Sequence, residues 1–177
     1  MKNEKEISNN NKYETTLLQD ILHLLLKIAS VVGVGVLLFT FIFGIFRTPD
    51  LSMSPAIKDG DLVAFYRLDK NYMRNDVLVV KYKDKYQSRR VLAVGGDSVD
   101  IKEDGLYING YKQVEPEIYS ETYAFEEGVK FPITVGQGEV FVMGDNREDS
   151  TDSRIYGSVK IKDTLGKVMT IVRRRGI

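Results

Sequence analysis

The stretch "IASVVGVGVLLFTFIFGIF", Ile28 to Phe46, most constrains this chain. It carries no charge, and Lys27 and Arg47 flank it. As a helix, 19 residues span roughly 28 Å, close to the ~30 Å hydrocarbon core of a bilayer. A buried globular helix rarely runs so long without a polar face. A cleavable leader has a shorter apolar core, few residues before it and a small-residue cut site after it. Here a long polar tail precedes the run and "FRTPD" follows it. The expectation is one transmembrane helix over 27–47, a cytoplasmic tail with an interfacial helix over 1–26, and an extracytoplasmic domain over 48–177. Lys2, Lys5, Lys12 and Lys27 favour the tail inside, since orientation follows Lys and Arg in short segments. The segment "ETTLLQDILHLLLK", 14 to 27, reads as a helical extension along the inner interface.

The chain balances 25 basic against 25 acidic side chains. No basic footprint for phosphates exists, so nucleic acid is not an expected partner. With no cysteine, disulfides, thiol catalysis and cysteine metal sites are excluded. The lone His23 cannot build a zinc site, and the expected topology puts it across the membrane from the domain.

After residue 47 the signals are those of strands: 62–68, 77–83, 89–94, 98–102, 105–110, 138–144 and 166–175. These runs are rich in Val, Ile, Tyr and Phe and bounded by Gly, Asp and Asn. Asn109-Gly110 predicts a two-residue hairpin turn. No long amphipathic helix follows the apolar run. The fold class is therefore mainly β, an antiparallel sheet or barrel-like domain behind one N-terminal transmembrane helix. The acidic, aromatic stretch 115–132 reads as a surface excursion between strands.

"DLSMSPAIKDGD", 50 to 61, places Ser52 just beyond the apolar run. A serine nucleophile needs a base. Histidine is closed off, because His23 lies on the wrong side. A desolvated lysine is the other common solution. A carboxylate can serve only with a raised pKa of its own. Elimination points from Ser52 to a lysine.

Three segments resemble the type I signal peptidases (S26), in the single-span Gram-positive form. "LSMSPAIKDGD" resembles their nucleophile box, Ser-Met-x-Pro followed by Gly-Asp. "RRVLAVGGD", 89–97, resembles their lysine box, Lys-Arg-x-x-x-x-Pro-Gly-Asp. "GDNREDSTDSRIYG", 144–157, matches their third box at every fixed position, and the three occur in the family's order. The resemblance implies a membrane-anchored serine endopeptidase, without a cofactor, that removes signal peptides from exported proteins after small residues. It makes Ser52 the nucleophile, with Met53 and Pro55 shaping its strand and Ile57 lining the small-residue pocket. Ser150 would orient the base, and Asp152 with Arg147 or Arg154 would brace the site. Asp145 belongs to the same structural set. The anchor makes sense, because tethering raises the effective concentration of a membrane-embedded substrate.

Two positions depart from that pattern. Arg89 stands where the family has its lysine, and arginine keeps its proton in proteins. Lys83 and Lys85 share strand parity with Arg89, but Lys85 is about 13 Å away along a strand. Asp50, two before the serine, stands where a small or hydroxyl residue sits beside the oxyanion, and a carboxylate there opposes the developing charge. The expectation is a bidentate bridge between Asp50 and Arg89. Gly95 in place of the box proline touches only the turn.

Two functions stay open. One is an active signal peptidase. The other is a non-hydrolysing relative that binds signal peptides or pilin-like segments and assists surface pilus assembly. A plain membrane-tethered structural barrel would leave the Ser52 box without a reason.

Overall fold

The computed structural model describes residues 2–173, and side chains from residue 17 onward. The tail residues Lys2, Lys5 and Lys12 and the last residues of the run 166–175 lie outside those described side chains. Two compact units result, the long helix and a β body that begins at Ile42.

Helix α1 runs Lys2–Ile42. Its segment Leu17–Ile42 has a mean hydropathy of 2.3, with none of it buried, and is long and apolar enough to cross a membrane. The expected span ran to residue 47, but the helix stops five residues sooner. Phe43–Arg47 is strand β1 instead. The cause lies in its side chains and its partner. Aromatic and β-branched residues suit a strand, and Gly44 disfavours a helix. Its bare Cα also lets the Phe65 ring lie against the backbone, where a Cβ would come within 2.1 Å of the ring.

The body is built from β2 (Leu62–Tyr66), β3 (Val77–Tyr82), β4 (Lys85–Val94), β5 (Ser98–Lys102), β6 (Gly105–Ile108), β7 (Tyr111–Lys112), β8 (Ile133–Thr134), β9 (Glu139–Met143), β10 (Val159–Lys160) and β11 (Gly166–Val172). A short helix, α2, covers Ser153–Tyr156. One sheet has the order β1-β2-β11-β3-β4-β9-β10 and the second β7-β6-β5-β8. All pairs are antiparallel, as the strand runs predicted.

Asn109 and Gly110 take φ of 53° and 82° and close the β6–β7 hairpin. A second tight turn was not foreseen. Lys83 and Asp84, with φ of 45° and 62°, close β3 onto β4. This turn lengthens β4 back to Lys85 and turns Lys83 away from strand geometry.

Three apolar clusters fill the body. Leu92, Val99, Leu106, Ile108 and Phe141 join the two sheets. Leu78, Val80, Val91, Val140 and Val142 back the centre of the larger sheet. Phe46, Met53, Ile57, Val63, Phe65 and Val79 lie beneath the loop that carries Ser52. That third cluster anchors the loop from below through Met53 and Ile57, both fully buried.

Candidate active site

Ser52 sits in a turn-rich loop between β1 and β2, not on the strand expected for it. The loop folds on itself through Ser54 N to Leu51 O at 2.9 Å and Ile57 N to Met53 O at 2.8 Å. Burying Met53 and Ile57 fixes its lower side. The residues opposite come from the segment 144–154. Asn146 N donates to Ser52 O at 2.9 Å. Gly144 packs so closely that a Cβ there would come within 2.3 Å of Ser150 Oγ and 2.5 Å of Ser52 O. That glycine is dictated by contact, which explains its fixed place in the third box.

A cavity of about 300 Å³ opens over Ser52. Its lining includes Asp50, Arg89, Phe125, Glu148, Ser150 and Ile155. Ser52 itself is buried at 2 % exposure. Its hydroxyl donates to Asp50 Oδ1 at 2.6 Å and receives Arg89 Nη1 at 2.6 Å. Asp50 Oδ1 also accepts the Ser52 backbone N–H at 3.1 Å.

Arg89 comes from β4 and is buried at 1 % exposure. Its Nε and Nη2 donate to Thr151 O at 3.1 and 2.9 Å, and Nη1 also donates to Ser88 O at 2.6 Å. These carbonyls aim one guanidinium nitrogen at Ser52. The expected bidentate bridge from Asp50 to Arg89 does not form. The Ser52 hydroxyl stands between the two charges and bonds to both. Because that one oxygen satisfies both side chains at hydrogen-bond distance, neither needs to approach the other.

None of the three lysines that closely precede Arg89 in sequence lines the cavity. Lys81 pairs with Asp84 at 2.8 Å, Lys83 lies in the turn, and Lys85 is exposed at the start of β4. Ser150, expected to orient a base, is buried and its Oγ has no hydrogen-bond partner. Nor do Met53, Pro55 and Ile57 line the cavity. Met53 and Ile57 belong to the core beneath the loop, and Pro55 is exposed.

Asp152 and Arg154 form the brace beneath the site. Both are essentially unexposed. Asp152 accepts from Arg154 Nε and Nη2 at 2.9 Å each, from Arg154 N at 3.1 Å and from Gly144 N at 3.1 Å. It thereby caps α2 and holds Gly144 in place. The Arg147 side chain does not join this pair, though its carbonyl accepts from Arg154 Nη2 at 2.6 Å. It reaches Glu115 through both terminal nitrogens, at 2.8 and 2.5 Å, and also bonds Thr122. Asp145 pairs with Arg90 in a fork of 2.7 and 2.6 Å.

The stretch 115–132 is therefore more than a surface excursion. Arg147 holds its start, and Arg154 holds its middle through Tyr123 O and the Phe125 ring, 4.6 Å from the guanidinium carbon. Val129 N donates to Arg154 O at 2.8 Å. This strap brings Phe125 to the cavity wall. Glu115, Thr122, Phe125 and Arg90 were missed from sequence, because only the third box's unpaired charges hinted that partners must exist elsewhere.

Tyr156 of α2 stacks on Tyr82 with ring centroids 4.8 Å apart. Burial pushes its phenol strongly up, against the opposing pull of the nearby Arg89 guanidinium. The hydroxyl stays protonated and buried, with no partner of ordinary hydrogen-bond geometry.

The model of the family described as "Signal peptidase, peptidase S26" matches residues 21–173. Signal peptidase I of Bacillus licheniformis is 34 % identical over 134 residues, covering 70 % of this chain and 72 % of that protein. Signal peptidase I U of Bacillus subtilis is 35 % identical, covering 72 % and 75 %. Signal peptidase IB of Staphylococcus aureus is 30 % identical, covering 85 % and 88 %.

Proposed function

The chain belongs to the signal peptidase family, peptidase S26, and on that premise we propose that it is a membrane-anchored serine endopeptidase that uses Ser52 to cut exported proteins after small residues. The observation that carries this is the placement of Ser52. Its hydroxyl is buried at the floor of a cavity, held by the third-box segment and flanked by one acceptor and one cation. A merely structural serine has no need of that arrangement. Phe125 and Ile155 are the bulky apolar side chains lining the cavity beside Ser52, and they would favour small residues before the cut. The anchor is Leu17–Ile42, with the tail in the cytoplasm and the β body outside, in keeping with the tail lysines. The substrate is then the signal-peptide end of a protein leaving the membrane.

Competence is tested with the full chain in detergent and a peptide carrying Ala-x-Ala before the cut. Cleavage by the wild type that is lost in Ser52→Ala supports the reading. Failure of the wild type to cleave, with gain in Arg89→Lys, overturns it.

One observation favours a second reading, a site that grips signal-peptide or pilin-like segments without cutting. Asp50 Oδ1 occupies the backbone N–H of Ser52, a donor that an oxyanion would need. On that reading Ser52→Ala leaves client binding intact, which a pull-down of the client segment measures.

A further inference from the structure

Resting on the reading of Ser52 as nucleophile, we propose that Asp50 is the general base of this site and that Arg89 stabilises the serine oxygen it deprotonates. The hydrogen-bond directions follow from chemistry alone. A guanidinium has donors only, and a hydroxyl has one proton with two lone pairs. Arg89 Nη1, 2.6 Å from Ser52 Oγ, must therefore donate into the hydroxyl oxygen. That leaves the single proton of Ser52 for Asp50 Oδ1, also at 2.6 Å. A base has to lie within about 2.6–3.2 Å of the proton it takes, and Asp50 meets that test. Ser52 N donates to the same oxygen, which fixes the carboxylate over the hydroxyl.

A second observation is independent of this. Ser150 Oγ, buried at the same cavity, has no hydrogen-bond partner. A base placed there would have engaged it. Among the described residues, the other charged groups around the cavity are Arg89, Glu148 and Asp149. Neither Glu148 nor Asp149 bonds to Ser52, and no lysine lines the cavity.

The Ser52 proton moves to Asp50 Oδ1 while Oγ bonds to the peptide carbonyl carbon and the carbonyl π pair moves to oxygen. Collapse breaks the C–N bond, and the leaving amine takes the proton from Asp50. Water then attacks the acyl-enzyme, gives a proton to Asp50, and releases the acid as Ser52 regains its proton. Arg89 stays protonated throughout. Its charge offsets the carboxylate that would otherwise oppose the developing oxyanion, so the two departures from the family pattern act together.

The test uses the full chain in detergent, the Ala-x-Ala peptide, and a fluorophosphonate probe whose attachment to Ser52 is followed by mass. Asp50→Asn should lower kcat/KM by roughly 10²–10⁴-fold, mainly in kcat, and slow Ser52 labelling in parallel. Asp50→Ser should lose activity likewise and regain it only together with Arg89→Lys. If Asp50→Asn stays within about tenfold of wild type while Ser52→Ala is dead, the base assignment is overturned and the peptidase stands. Arg89→Lys alone exceeding wild type overturns it as well. No Ser52-dependent cleavage or labelling in the wild type overturns both.

Discussion

Replacing Asp152 by alanine should cost this protein a large part of its stability. The carboxylate is fully buried and accepts four hydrogen bonds, two from the Arg154 side chain and two from the backbone N–H groups of Gly144 and Arg154. Its removal leaves a guanidinium at 1 % exposure with no carboxylate partner. What remains to Arg154 is Arg147 O at 2.6 Å and Tyr123 O at 3.2 Å. Breaking a buried pair from one side costs about 3–5 kcal/mol. Two buried N–H groups also lose their acceptor, at about 1–3 kcal/mol each where no water replaces it. These costs overlap, so about 3 kcal/mol is the floor. With a urea slope of about 1–3 kcal/mol/M, the midpoint should fall by at least about 1 M. The assay is a urea titration of the full chain in detergent, followed by near-ultraviolet circular dichroism. Ten tyrosines and no tryptophan make that signal report on the β body more than on α1. Asp149→Ala is the control, since this exposed carboxylate lies three residues away. Surface changes stay within about 0.5 kcal/mol. A midpoint shift for Asp152→Ala no larger than that of Asp149→Ala would refute the reasoning.

Gly144→Ala should damage stability and cleavage together, because its Cβ would meet Ser150 Oγ and Ser52 O; the melt should lose about 1–3 kcal/mol, and an unchanged Ser52 labelling rate would contradict the packing. Burial pushes the Asp97 carboxyl up, but Val94 N–H, the Asn109 amide and the Arg74 guanidinium outweigh it and hold the group below its usual value. Its contribution to stability is therefore complete above the unfolded value of about 3.9 and is lost as pH falls through the lower folded value. Asp97→Asn should be less stable than wild type near neutral pH, and urea melts should show the gap closing toward about pH 2; a gap that widens in acid rejects the sign. Tyr156→Phe removes a buried hydroxyl with no partner of ordinary hydrogen-bond geometry and keeps the stack on Tyr82, so its midpoint should match or exceed that of the wild type.

Much of this site was legible because its residue types are rare inside proteins. Asp145, Arg147, Asp152 and Arg154 fall at fixed spacing in one short segment, and all four are buried. Their partners were not legible. Glu115 and Thr122 lie 32 and 25 residues from Arg147 in sequence, and nothing local marks an acidic loop residue as the mate of a buried arginine. The end of α1 was hidden for another reason. Hydropathy treats Phe43–Arg47 as more of the same apolar run, whereas pairing with β2 decides its backbone. The Asn109-Gly110 turn announced itself, while Lys83-Asp84 did not, because Lys at positive φ carries no sequence signature. Ile57 was misplaced because an apolar residue near a nucleophile serves a pocket or a core equally well by type. Only the packing against Val63 and Phe65 decides for the core.

Asp50 and Arg89 were expected to compensate for one another through a direct bridge, since each alone spoils a serine site. A carboxylate alone would oppose the oxyanion, and a guanidinium alone would leave no base. Their geometry makes them a single substitution. Each is tied to the same oxygen, Ser52 Oγ, at 2.6 Å, and Arg89 is held there by Ser88 O and Thr151 O rather than by Asp50. The backbone thus positions the cation, and the proposed proton transfer from Ser52 to Asp50 would break no direct salt bridge between the two charges. A direct Asp50–Arg89 fork would have done the opposite, because a carboxylate locked to a guanidinium resists protonation. The absence of that fork is what the proposed base role of Asp50 requires. Residues bonded to one shared atom couple strongly, by about 0.5–3 kcal/mol. Restoring the family residue at either position alone should therefore be worse than restoring both.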